Sequence, residues 1–134
     1  MKKFLMSGIL AGIAIFVVWL VMGMIISMIW PYNILELGGM RAAADPMMML
    51  FFLHPFVFGF AMAFVYPYVA GSLKGEYMDK GKMFGLLMWL VAGIPSAFVV
   101  FTSMNYPIGF TINSVVGSFI YMLIAGIAIA WANK

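Results

Sequence analysis

One side chain within the long apolar stretches can exchange a proton near neutral pH, and it is His54, the only histidine in the chain. An imidazole among apolar residues and next to Pro55 has two readings. It is a contact for a ligand, a proton or a metal, or a neutral ring hydrogen-bonded to a neighbouring helix. A lone histidine cannot provide both axial ligands of a bis-histidine haem within one chain. There is no cysteine, which removes disulfide exchange, thiolate metal sites and cysteine nucleophiles together. Hydroxyl and amide side chains cluster at the depth of His54: Ser27, Thr102, Ser103, Asn105, Tyr106, Thr111, Asn113, Ser114 and Ser118. Ser96 and Tyr121 lie near mid-depth and need hydrogen-bond partners there. The other half of the apolar stretches offers little beyond Ser7 and Tyr66. The expected ligand-binding set is therefore His54, Asn105, Tyr106, Asn113 and Ser114, around a pocket opening towards the outer surface.

Methionine is abundant, with 15 residues, and thioether sulfur favours Cu(I). Met24-x-x-x-Met28 resembles the paired methionines of copper-uptake proteins, which turn one methionine face to a pore. The resemblance spans these five residues; taken with His54, read separately as a metal contact, they give a metal set of Met24, Met28 and His54. Methionine is equally a flexible apolar filler. No resident cofactor is expected.

What is missing narrows the chemistry further. All eleven charged residues, seven Lys and Arg plus four Asp and Glu, fall at ends or in loops. Coupled transporters generally need an ionisable group within the membrane as relay or counter-ion. Four-span exporters of the small multidrug-resistance type carry a membrane-embedded glutamate, and this chain has none. Paired carboxylates for acid–base hydrolysis and phosphate-cradling loops are also absent. A non-enzymatic protein is expected.

The elements that position these residues follow from composition. The chain is 66% hydrophobic and 8% charged, against roughly 25% charged in an ordinary soluble domain. A surface of this kind calls for lipid as its solvent. About 20 apolar residues cross a bilayer as helix, and four such stretches occur, at about 4–30, 47–70, 83–103 and 111–131. The expected fold is all-α, a membrane four-helix bundle forming one domain over 1–134. The first stretch exceeds what one crossing needs, so tilt is expected, and Pro31 stops it. Asp45-Pro46 opens the second as an N-cap followed by proline at the first helical position. The third and fourth are joined by the uncharged turn from Met104 to Phe110. Lys2-Lys3 before an apolar run resembles a signal peptide. The run is too long for one, and the Ala42 to Ala44 cleavage-like pattern lies well past its end, so a retained span is expected.

Orientation follows from the basic residues. Lys2, Lys3, Lys74, Lys80, Lys82 and Lys134 share one side if four spans alternate, and Arg41 stands alone on the other. The positive-inside rule then predicts both termini in the cytoplasm, within a cell membrane. Trp30, Tyr32 and Tyr106 mark the outer interface, and Tyr66, Tyr68, Tyr77 and Trp131 the inner one. The net charge of +3 thus reads as topology. It forms no basic stripe, and no nucleic-acid partner is expected. Pro31 to Ala44 is expected to lie at the outer surface as a short interfacial helix broken at Gly38-Gly39.

Small residues mark where helices meet in lipid. Gly8 and Gly12 lie on the first span, Gly59 and Ala63 on the second, and Ser114, Ser118 and Ala125 on the fourth. They serve packing within one bundle or contact with another copy or a membrane partner. Pro55, Pro67 and Pro95 are expected inside spans, where each frees a carbonyl, making a kink, a hinge or a cavity. Lys3 to Gly12 and Lys82 to Gly93 share a lysine-then-small-residue pattern too weak to establish an internal duplication.

Gly81-x-x-x-Gly85, Gly93-Ile94-Pro95, Tyr106-Pro107, Gly117 and Gly126 give the chain, from about residue 50 onwards, a resemblance to small four-span prokaryotic membrane proteins of unknown function. The resemblance implies a compact helical bundle in a plasma membrane and imports no activity. Three roles follow from the residues: a membrane protein acting by helix–helix interaction or as a subunit, a carrier or binder of a small or apolar ligand (Cu(I) included) near His54, and a membrane enzyme. The first is expected, the second is the alternative, and the third lacks a nucleophile–base pair.

Overall fold

A computed structural model describes all 134 residues. It is all-helical: α1 (Lys2–Ile29), α2 (Met48–Phe51), α3 (His54–Val69), α4 (Tyr77–Met88), α5 (Ile94–Ser103), α6 (Ile108–Ile112) and α7 (Ser118–Ala132). A widened π turn, Trp89–Gly93, joins α4 to α5, and another, Asn113–Gly117, joins α6 to α7. Four continuous helical spans are long and apolar enough to cross a membrane: Lys2–Ile29, His54–Ser72, Tyr77–Ser103 and Ile108–Ala132. At about 1.5 Å per residue the first is about 42 Å long, more than the roughly 30 Å hydrocarbon core requires. Large apolar side chains such as Val57, Phe64, Val91 and Phe98 face outward, each at least 60% exposed.

The second span does not begin where the sequence suggested. Asp45 caps only a short turn: its Oδ1 accepts from Met47 N at 2.9 Å, and its Oδ2 pairs with Arg41 at 3.0 Å. The chain then breaks at Phe52-Leu53, and the long helix starts at His54 with Pro55 in its first turn. Proline explains the break. A helix continuous from residue 47 would need an N–H at Pro55 to satisfy Phe51 O, and the ring would clash there; in a first turn neither cost arises. Phe51 O is instead bonded by His54 Nδ1 at 3.1 Å. Pro55 is thus a helix starter rather than a kink, and His54 stands at the head of its helix instead of two turns down it. Pro67 does lie inside α3, and Pro95 lies in the first turn of α5, directly after a π turn. The segment after Pro31 forms no interfacial helix beyond one 3₁₀ turn, Ile34–Glu36, capped by Asn33. Gly39, at φ +85°, then turns the chain in a conformation that favours glycine.

Four alternating spans return both termini to one end, where Asn133 Nδ2 donates to Ser7 Oγ at 2.8 Å. α1 packs against α3 and α7, and α4 packs against α7. Glycines set these crossings. A Cβ on Gly59 would sit 2.9 Å from Gly12 Cα and from Gly8 O. A Cβ on Gly81 would sit 2.8 Å from Ile127 N and 2.9 Å from Gly126 O, and one on Gly126 would sit 2.8 Å from Gly85 N. Backbones this close gain dispersion that larger residues would forbid. The buried core, including Ala11, Ile15, Met62, Ala63, Tyr66, Phe84, Ala125 and Ile129, occupies the half nearer the termini. In the opposite half, α3 and α5 make no comparable contact with each other, and the second and third spans separate.

Candidate functional site

The gap left by that separation is a cavity of about 390 Å³. Phe51, His54 and Phe58 come from the second span and the turn before it, Ala92 to Val100 from the third, and Asn113 to Met122 from the fourth. Ile34, Leu37 and Met40 of the connecting segment lie over its end. Trp19 closes the side formed by α1. A second cavity, of about 270 Å³, lies behind it against Gly23, Met24, Ser27 and Tyr32, and Trp19, Ile34 and Asn113 border both.

His54 is held by aromatic neighbours. Its ring centroid is 5.5 Å from Trp19, nearly edge-on at 86°, and 5.5 Å from Phe51. A carbonyl only accepts, so the contact with Phe51 O puts the proton of the neutral ring on Nδ1 and leaves Nε2 as an acceptor. Tyr106 lines the cavity, but its hydroxyl donates to Gly38 O at 2.9 Å and ties the covering segment to the turn between the last two spans. Its ring stacks edge-on against Phe110 at 5.1 Å. Ser114 and Ser118 line the cavity with their hydroxyls committed to their own helix: Ser114 Oγ donates to Phe110 O at 2.8 Å, and Ser118 Oγ bonds Ser114 O and, at 3.0 Å, Val115 O. Asn113 Nδ2 donates to Tyr32 Oη at 2.9 Å, while Asn113 Oδ1 is buried without a partner against Gly117. Burial raises the Tyr32 pKa above the usual phenol range, with the Asn113 hydrogen bond acting weakly the other way. Tyr32 therefore keeps its hydroxyl proton across the physiological range.

Asn105 is exposed and does not border the cavity. It sits in the turn before α6, where the chain has left the helical layer, so its place beside Tyr106 in sequence does not carry it inward. The metal set is not assembled either. Met28 is 84% exposed, Met24 is 62% exposed and borders only the second cavity, and His54 borders only the first. α1 turns its Met24–Met28 face outward because the opposite face packs on α3 and α7. Gly8, Gly12, Gly59, Ala63, Ser118 and Ala125 are all buried against helices of the same chain, and Ser114 is half-buried.

Two tryptophans escaped the sequence reading. Trp19 and Trp89 lie within spans, away from the interfaces where tryptophan usually sits in membrane helices, and that position was the available signal. The indole Nε1 of Trp89, in the first π turn, donates to Val115 O in the second at 3.0 Å. A π turn disturbs the helical hydrogen-bond ladder, and here one side-chain hydrogen bond ties two such turns on adjacent spans together. Trp89→Phe removes that donor but leaves Ser118 Oγ on Val115 O. It is expected to lower unfolding stability in detergent by about 0.6 kcal/mol, measurable as a small fall in the thermal midpoint.

Set beside protein-family models, curated proteins and solved structures, the chain matches none of them.

Proposed function

We propose that this chain is a multi-pass protein of the cell membrane, with both termini cytoplasmic, that binds a small, mostly apolar molecule in the cavity beside His54. One observation carries the reading. The cavity gathers His54, Ser96, Tyr121 and Asn113, whose Oδ1 is buried without a partner, within otherwise apolar walls. Ligand sites have this character, with apolar linings and a few placed polar groups that fix orientation. The small-residue faces, which would support a role in self-association, are spent on contacts inside the chain, and this favours binding over assembly. The hydroxyls of Ser114 and Ser118 are engaged with backbone carbonyls rather than with His54, so neither is paired with the imidazole as nucleophile with base.

Native mass spectrometry of the detergent-solubilised protein tests the reading. A monomer retaining a small-molecule mass that is lost on His54→Ala supports it. A stable oligomer with no retained mass, in wild type and variant alike, overturns it in favour of assembly. The orientation rests on the six lysines that share one end with the termini. With no native cysteine, single-cysteine variants report it directly. In right-side-out vesicles a membrane-impermeant maleimide is expected to label Met40→Cys and to spare Lys74→Cys, and the reverse pattern would invert the topology.

A further inference from the structure

We propose that the ligand is an uncharged, hydroxyl-bearing lipid-soluble amphiphile, taken up from the bilayer through the gap between the second and third spans. The inference rests on the cavity being a binding site and adds the chemistry of its occupant. No Lys, Arg, Asp or Glu borders the cavity. A phosphate or carboxylate headgroup would lie there unpaired in a low-dielectric setting, at a cost that normally excludes it. A pure hydrocarbon would fill the space but leave the polar groups unmet. His54 Nε2 accepts, and Tyr121 Oη and Ser96 Oγ can each donate. A hydroxyl satisfies both kinds at once, giving its proton to the imidazole and accepting from Tyr121 or Ser96.

The route follows from the packing. Tyr106 Oη on Gly38 O fastens the segment over the cavity's end, and Leu37 beneath it is buried. The side between α3 and α5 has no such closure, and Ser96 on that side is exposed. A headgroup reaching His54 can therefore leave its tail in the gap, facing lipid.

Trp19 borders the cavity and touches His54, so a bromine in the cavity quenches it. In nanodiscs, 2-bromodecan-1-ol, 2-bromodecane and 2-bromodecyl phosphate, each with its bromine at the head end that reaches His54, are added at equal mole fraction, and the Trp19 contribution is isolated by difference from Trp19→Phe. Bromodecanol is expected to quench saturably at a concentration at least tenfold below the other two. His54→Leu and Tyr121→Phe should each remove that preference while leaving the protein folded by circular dichroism. Unbrominated octadecanol should displace the probe as well as decanol does, because the tail emerges into lipid. If the phosphate or the alkane matches the alcohol, or if octadecanol fails to compete, the cavity binds but this occupant or this route is wrong. If none of the three probes quenches Trp19 saturably, the binding role itself falls.

Discussion

Gly126→Leu is expected to be severely damaging, lowering unfolding stability by about 3 kcal/mol. At this crossing α4 and α7 meet backbone to backbone. The new side chain would start against Gly81 O, with Gly85 N at 2.8 Å and Gly85 Cα at 3.1 Å. Backbone atoms of a packed helix cannot swing aside as a side chain can, so the helices must separate and lose the contacts along their length. Gly59→Leu, which meets the backbone of Gly12 and Gly8, should behave alike at the α1–α3 crossing. Gly8→Ala should cost less, because its nearest obstacle is the ring of Phe60, a side chain with other rotamers. Gly71→Leu is the control, since a Cβ there meets nothing within 4 Å. Thermal unfolding in detergent, followed by tryptophan fluorescence, reads all four. Equal midpoints for Gly126→Leu and Gly71→Leu would mean that the close crossing contributes nothing.

Asn113→Leu is expected to act in the opposite direction, stabilising the empty protein by about 1 kcal/mol. A buried oxygen without a partner costs about 1–3 kcal/mol, and Asn113 Oδ1 is such a group. The change also gives up the hydrogen bond to Tyr32 at 2.9 Å, and a neutral hydrogen bond of this kind contributes about 0.5–1.5 kcal/mol. The relief exceeds the loss. Leucine has the same number of side-chain heavy atoms as asparagine and branches at the same carbon, and the missing side chain of Gly117 leaves room beside it for the larger methyls. Because Asn113 borders both cavities, ligand retention should fall while stability rises, a pairing expected where a strained polar group is kept for function. A lower midpoint for Asn113→Leu would show that the Tyr32 contact outweighs the orphaned oxygen.

These two changes mark the line between what could be read and what could not. The spans were legible because hydropathy and length act locally: four uncharged stretches are each long and apolar enough to cross a membrane as helix. The grouping of polar side chains at one depth was legible for a similar reason, since depth in an alternating chain follows from distance along a helix. His54, Tyr106, Asn113 and Ser114 do border one cavity, while Asn105, one residue from Tyr106, turns out to solvent-exposed loop. Depth does not fix azimuth, and in a turn it fixes neither.

By itself, then, the sequence determined the all-helical class, the number of spans, the absence of buried charge and the glycines available for close approach. It did not determine which glycine meets which, since Gly12 with Gly59 and Gly85 with Gly126 are long-range pairings. Only the tertiary structure decided that Pro55 begins a helix and hands Phe51 O to His54. It alone placed two π turns side by side so that Trp89 could bridge them. The cavity is of the same kind. Glycine crossings join the first span to the second and the third to the fourth, while the second and third spans stand apart, and the space between them belongs to no single segment of chain.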